Sequence, residues 1–294
     1  MRIARILLTA AASAVLLTTS AAAVSATPRE AGVHHYVALG DSYTSGPLIP
    51  AQRWDPLGCG RSTNNYPSFV ARALHPDRFT DVSCGGAKTT HMVTPQAVQF
   101  GGVNPPQFSA LRESTDLVTL GIGGNDSDVF GTLIGTCPGL RATDPHGNPC
   151  QRRFSPGGAD TMKAAVARTG QDVVTVLKGI HQRSPHAKVL VVGYPRIAPP
   201  SGTCPAILPF ADGDYRWLDS VEQALNTALA KAVAADGKAV YVDTYGPSLG
   251  HDACARGGAA WINGQYTQLF AALSYHPFRS GMLGVANVVL EHLT

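Results

Sequence analysis

The chain has 294 residues, 44% of them apolar and 15% charged, with 23 basic against 20 acidic side chains. No run of Lys or Arg stands out, so nothing electrostatic argues for nucleic acid or an anionic membrane as a partner. The apolar content excludes a disordered chain, and 31 glycines with 21 prolines predict a compact body with many ordered loops.

At the N-terminus, Arg2 and Arg5 precede an almost unbroken apolar run from Ile6 to Leu17, and Val24-Ser25-Ala26 offers small residues for cleavage. This is the layout of a secretory signal peptide, with an apolar core too short for a membrane-spanning helix. Residues 1–26 are expected to be removed, leaving a single domain over residues 27–294 and an extracellular protein (cleavage after Ala23 is the alternative). Their loss changes the charge balance from 23 against 20 to 21 against 20. An exported chain is expected to pair its cysteines. Cys59, Cys84, Cys137, Cys150, Cys204 and Cys254 are even in number and lack C-x-x-C spacing, which argues against zinc and thioredoxin-like chemistry. Many connectivities are possible; pairing in sequence order (59–84, 137–150, 204–254) is the expectation.

Strand-like and helix-like stretches then alternate. Residues 36–39 form a short apolar strand that runs into Gly40-Asp41-Ser42. Residues 66–74 read as a helix with Pro67 in its first turn, where a missing N–H costs nothing. Residues 79–83 read as a strand leading to Cys84-Gly85-Gly86-Ala87, 106–112 as a brief helix, and 116–122 as a strand ending in Gly123-Gly124-Asn125-Asp126. Met162, Val166, Val173, Leu177 and Ile180 form one stripe of a helix over 161–183. The continuous apolar run 188–193 is typical of a parallel strand covered on both faces. A helix over 215–235, a strand over 238–244 and a last helix over 278–293 complete the pattern. Five strands with helical crossovers predict a three-layer α/β/α sandwich around a five-stranded parallel sheet, of the flavodoxin-like class. The loops at 44–64, 127–160, 194–214 and 245–275 are where specificity is expected to be built.

Three strand ends thus bring Ser42, Gly86 and Asn125 to the rim where ligands gather in open α/β sheets. Acyl transfer needs such a set: a hydroxyl to attack a carbonyl, and fixed donors to meet the oxyanion that develops. The backbone N–H groups of Ser42 and Gly86 and the side-chain amide of Asn125 are the candidate donors. The same residues are also ordinary turn formers, and Gly121-Ile122-Gly123-Gly124 lacks the spacing of a dinucleotide fingerprint. For a general base, His34, His35, His146, His181, His186 and His292 sit in polar or terminal contexts and are expected at the surface. His276, followed by Pro277 just before the last helix, is the candidate. Ser248 lies in Gly246-Pro247-Ser248-Leu249-Gly250, which fits G-x-S-x-G, but no helix follows it and it reads as a loop residue. Ser45 reads as a turn residue.

Gly40-Asp41-Ser42, Gly86, Gly123-Gly124-Asn125-Asp126 and His276-Pro277, in this order and spacing, resemble the SGNH, or GDSL, hydrolase family across nearly the whole mature chain. The cysteine layout further resembles that of its exported actinomycete lipases and esterases. The resemblance implies Ser42 as nucleophile, His276 as base, and Ser42, Gly86 and Asn125 as oxyanion hole. Members usually carry an aspartate three residues before the histidine; here Leu273 stands in that place. Asp243 or Asp252 could replace it from a distance. The preferred expectation is a Ser42–His276 dyad whose ring is held by the backbone carbonyl of Leu273 or Ser274. The implied activity is hydrolysis of carboxylic esters of acylated lipids by a monomer that touches a lipid interface peripherally, with no metal, organic cofactor or nucleic acid. Phospholipase A, carbohydrate O-acetyl esterase and a catalytically inactive module binding lipid or glycan are the rivals. Leu48, Ile49, Trp54, Phe100, Phe108 and Phe130 are candidates either for an acyl groove or for the core.

Overall fold

A computed structural model describes residues 32–293, so the expected signal peptide lies outside the described residues. In chain order the elements are β1 (His35–Gly40), α1 (Ser42–Ser45), α2 (Tyr66–Leu74), β2 (Arg78–Asp81), β3 (Gln96–Ala97), β4 (Val103–Asn104), β5 (Leu117–Gly121), α3 (Val129–Leu140), α4 (Pro149–Phe154), α5 (Thr161–Arg183), β6 (Lys188–Val192), α6 (Tyr215–Asp236), β7 (Val240–Val242) and α7 (Arg279–Glu291). The main sheet has the order β2-β1-β5-β6-β7, and every neighbouring pair is parallel.

Alternating strand residues serve two faces, as the strand period of two requires. Val37, Leu39, Val118, Leu120, Val189 and Val191 face one core, which Leu177 and Ile180 of α5 and Val221, Leu225 and Leu229 of α6 complete. Tyr36, Ala38, Leu117, Leu190 and Val192 face the other, closed by Tyr66 and Val70 of α2 and by Met282, Val285 and Val289 of α7. Each Val, Leu, Ile or Met among them, removed from water, contributes roughly 1.5–3 kcal/mol. Three layers result, with both faces of the sheet covered, as the apolar runs predict.

Several expectations need correcting. The loop at 127–160 contains α3 and α4. Glycines and Pro138 give α3 poor helix propensity; it forms because Val129, Leu133 and Cys137 bury one side of it, and Cys137–Cys150 ties it to α4. The brief helix expected at 106–112 is a single 3₁₀ turn, Gln107–Ala110. His35 is buried, its ring nitrogens 3.1 Å from Thr115 Oγ1 and 3.3 Å from Thr80 Oγ1. A small antiparallel pair, β3–β4, lies outside the main sheet. Cys59 is joined to Cys84, Cys137 to Cys150, and Cys204 to Cys254; closing such loops is worth about 2–4 kcal/mol each.

Candidate active site

β1 ends at Gly40, where the chain must turn tightly. A Cβ on Gly40 would sit 2.2 Å from Thr44 Oγ1 and 2.6 Å from the Gly121 carbonyl, so only glycine fits. Gln107 clamps the same residue, accepting from the Gly40 N–H at 2.8 Å and donating to the Gly40 carbonyl at 2.9 Å. Asp41 then caps α1 by accepting the Tyr43 N–H at 2.9 Å. Ser42, the first residue of α1, is 8% exposed, so only its edge reaches the surface.

The two adjoining strand ends are fastened to this turn. The Cys84 N–H donates to the Gly40 carbonyl and the Asp41 N–H to the Gly121 carbonyl. After β2, the N–H groups of Gly85 and Ala87 bond to the carbonyls of Cys59 and Cys84. Gly86 lies between them at φ +72°, a left-handed conformation that suits glycine. Among the described residues neither the Gly86 N–H nor the Ser42 N–H has a protein acceptor. After β5, the Asn125 amide donates to the Ala87 carbonyl at 3.0 Å, which leaves its second N–H free. Asp126 braces the same contact by accepting from the N–H and hydroxyl of Thr89.

His276 arrives from the other end of the chain. Its Nε2 lies 2.8 Å from Ser42 Oγ, and its Nδ1 lies 2.7 Å from the Ser274 carbonyl oxygen. A carbonyl can only accept, so Nδ1 carries the ring proton; Nε2 is then the bare nitrogen that accepts from the Ser42 hydroxyl. Burial pushes the His276 pKa below its ordinary value, and the bond to Ser274 offsets this in part. The Leu273 carbonyl does not hold the ring, contrary to one of the two expectations. It accepts instead from the Asn263 amide at 3.1 Å and from the His276 N–H at 3.2 Å. Neither distant acid reaches the ring either: Asp243 accepts the N–H groups of Tyr245 and Gly246, and Asp252 that of Cys254.

Three positioning residues escape a reading of motifs. Asn263, 2% exposed, spreads its amide over the carbonyls of Tyr266, Ala272 and Leu273, while its own N–H donates to the His276 carbonyl. Tyr43 donates its hydroxyl to the Tyr275 carbonyl at 2.6 Å, tying the serine turn to the histidine loop. Tyr194 donates to Asp41 at 2.5 Å and accepts the Gly124 N–H at 2.8 Å. Tyr275 itself adopts φ +60°, an unusual conformation that aims its neighbour at Ser42.

Burial pushes the Asp41 pKa up to about 7, against the opposing bonds from Tyr194 and Tyr43. A raised acid stabilises the folded state fully below its unfolded value of 3.8 and loses that contribution as pH rises through about 7. The other serines do not compete. Ser248 is buried, its hydroxyl donating to the Tyr245 carbonyl and accepting the Arg196 N–H. Ser45 supports the turn through its carbonyl, which accepts the Ser62 N–H; its hydroxyl is buried and has no hydrogen-bond partner among the described residues.

Ser42, Asn125 and His276 open onto a cleft of about 170 Å³ walled by Tyr43, Phe130, Ile134, Tyr194, Ile197 and Tyr275. Of the six apolar candidates, Phe130 lines it; Ile49 and Phe108 are core, Leu48 is half-buried away from the cleft, and Trp54 and Phe100 are largely exposed. A wider open groove of about 810 Å³ beside α2 and β2 contains none of the expected site residues.

A family model described as GDSL-like lipase/acylhydrolase matches residues 38–282. The chain belongs to that family. Lipase 2 of Streptomyces coelicolor is 41% identical over 234 residues, which span 77% of this chain and 75% of the relative. Among solved structures similar to this one, the extracellular lipase of Streptomyces rimosus has a TM-score of 0.72 at 28% identity. Phospholipase A1 from Streptomyces albidoflavus NA297 has a TM-score of 0.70 at 29% identity. Each covers 88% of this chain and 99% of its own. This GDSL-family member is a carboxylic ester hydrolase of the lipase/esterase type.

Proposed function

We propose that the chain is a secreted, monomeric lipase or esterase that passes the acyl group of a lipid ester to Ser42 and then to water. The observation that carries this reading is the His276 ring, bonded to Ser42 Oγ through one nitrogen and to the Ser274 carbonyl through the other. His276 Nε2 takes the Ser42 proton as Oγ attacks the ester carbonyl, and the carbonyl oxygen becomes an oxyanion. The N–H groups of Ser42 and Gly86 and the free amide N–H of Asn125 are the donors proposed to meet it. The imidazolium returns the proton to the departing alcohol. A water molecule, deprotonated by the same nitrogen, then releases the acid. The Ser274 carbonyl fixes tautomer and orientation, the chief services of a triad acid, without adding a charge.

The direct test is a serine-directed phosphonate followed by peptide mapping. The adduct is expected on Ser42; an adduct on Ser248 or none at all would overturn the assignment. The dyad has its own test. Asp243→Asn and Asp252→Asn are each expected to leave kcat per titrated active site within about twofold, whereas loss of a true triad acid costs about 10⁴. The pH profile follows from the lowered pKa of His276. The base works only when neutral, so the acid limb of kcat/KM is expected to centre below pH 6.5, the ordinary imidazole value.

An acyl chain suits the cleft because its walls are aromatic and aliphatic beyond the polar corner at Ser42. Tyr266, Leu269 and Phe270, exposed on the loop that leads to His276, support contact with a lipid interface. Replacing Leu269 and Phe270 by serine is expected to lower activity on emulsified esters severalfold more than on soluble ones, measured side by side. The similarity to a phospholipase A1 favours phospholipids as the second reading. A panel running from acetyl to long-chain esters and diacyl phospholipids separates them, and activity confined to acetyl esters would reject both.

A further inference from the structure

Four walls of the catalytic cleft, Phe130, Ile134, Ile197 and Tyr275, also line a second cavity of about 40 Å³, so the two spaces adjoin. Apart from the phenol of Tyr275, the side chains lining the smaller cavity are apolar, and the one carboxyl among them is that of Glu222 on α6. Glu222 is 2% exposed. One of its oxygens, Oε2, accepts the Ile197 N–H at 3.0 Å. The other, Oε1, is buried with no hydrogen-bond partner among the described residues. A bare carboxylate oxygen in an apolar wall is costly, and a neutral carboxyl is less so. Burial raises the pKa of Glu222 well above the ordinary carboxylate range. Asp219 and Asp252 add to that rise, while the Ile197 N–H and Arg196 oppose it. With Oε2 already accepting, the proton belongs on Oε1, which becomes an O–H donor without an acceptor.

We propose that Glu222 is the polar end of the acyl pocket and selects esters whose acyl chain carries a neutral oxygen, as hydroxyl, keto or ether, where the chain passes this residue. The inference rests on the reading of Ser42 as the group that receives the acyl chain. The acyl half stays on the enzyme until water releases it, whereas the alcohol leaves first; the small, mainly apolar space that continues the catalytic cleft therefore suits the acyl half. An anionic group is disfavoured beside a carboxyl, and a cation would require Glu222 to ionise in an apolar wall. A plain methylene chain leaves the Oε1 donor unsatisfied, and an oxygen at the right depth satisfies it.

The test measures kcat/KM for p-nitrophenyl esters of saturated straight-chain acids and of matched acids bearing one hydroxyl or keto group at successive positions. At one position the oxygenated ester is expected to exceed its plain counterpart by roughly five- to tenfold. Glu222→Gln, whose amide can donate from the place of Oε1, is expected to keep that preference, and Glu222→Leu to bring the ratio close to one. A role limited to holding Ile197 would lower both esters alike and leave the ratio unchanged. The proposal is overturned if no oxygenated ester outruns its plain match in the wild type, or if the preference survives Glu222→Leu. Should Glu222→Leu not fold, the wild-type series and Glu222→Gln decide alone, loss of the preference in Glu222→Gln counting against it. Ser42→Ala is assayed in parallel: if plain esters are still cleaved, the reading of Ser42 fails; if they are not and no preference exists, only the role of Glu222 does.

Discussion

Ser42→Ala is expected to lower kcat/KM on any ester the wild type cleaves by a factor on the order of 10⁵–10⁶, the scale of removing a serine nucleophile. The magnitude follows from the surroundings of His276 Nε2, whose one hydrogen-bond partner among the described residues is Ser42 Oγ. Ser45 is buried and Ser248 is bonded elsewhere, so neither is placed to take over. His276→Ala is expected to cost a similar factor. The double variant should be hardly worse than either single one, because nucleophile and base act as a unit. Steady-state kinetics on one chromogenic ester checks all three. A Ser42→Ala enzyme with more than a few per cent of wild-type activity, after exclusion of contaminating esterase by titration, would place the chemistry elsewhere.

Asn125→Ala is the second large effect. It is expected to reduce kcat by about 10²–10³ with little change in KM, the pattern of a donor that matters mainly when the oxyanion forms. Asn125 is suited to this because one N–H is spent on the Ala87 carbonyl, which fixes the plane of the amide and the direction of the other. The brace between Asp126 and Thr89 does not involve the Asn125 side chain, so the segment should stay in place in the variant. Thermal unfolding provides the control. A fall of threefold or less in kcat, with Tm unchanged, would remove Asn125 from the oxyanion hole.

The sheet is readable in the sequence because its strands are short continuous apolar runs, and 188–193 can hardly be anything else in a chain of this composition. The rim is readable for a similar reason: glycines and a small polar residue follow three of the strands. The scaffold behind the rim is not. Asn263 has no periodicity or motif around it, and its value lies in reaching three carbonyls that only the folded loop brings together. Whether Leu273 or Ser274 offers its carbonyl to the ring depends on the left-handed turn at Tyr275, a position where the residue type gives no hint. Helix α3 was hidden by its glycines and proline, since its stability comes from burial and a cross-link more than from propensity. Glu222 sits on a stretch the sequence marks only as a helix, where a glutamate would ordinarily be assigned to water, yet it is buried on α6.

Ser42 and His276, the proposed nucleophile and base, stand 234 residues apart in the chain. Chain emerging during synthesis therefore bears a serine without a partner until β7 and the loop after it have been made. No truncated product ending before residue 276 can hydrolyse an ester by this route, however well its first strands have folded. On the proposed mechanism, activity therefore waits for the last loop of the chain to be made and to close onto a serine near its beginning.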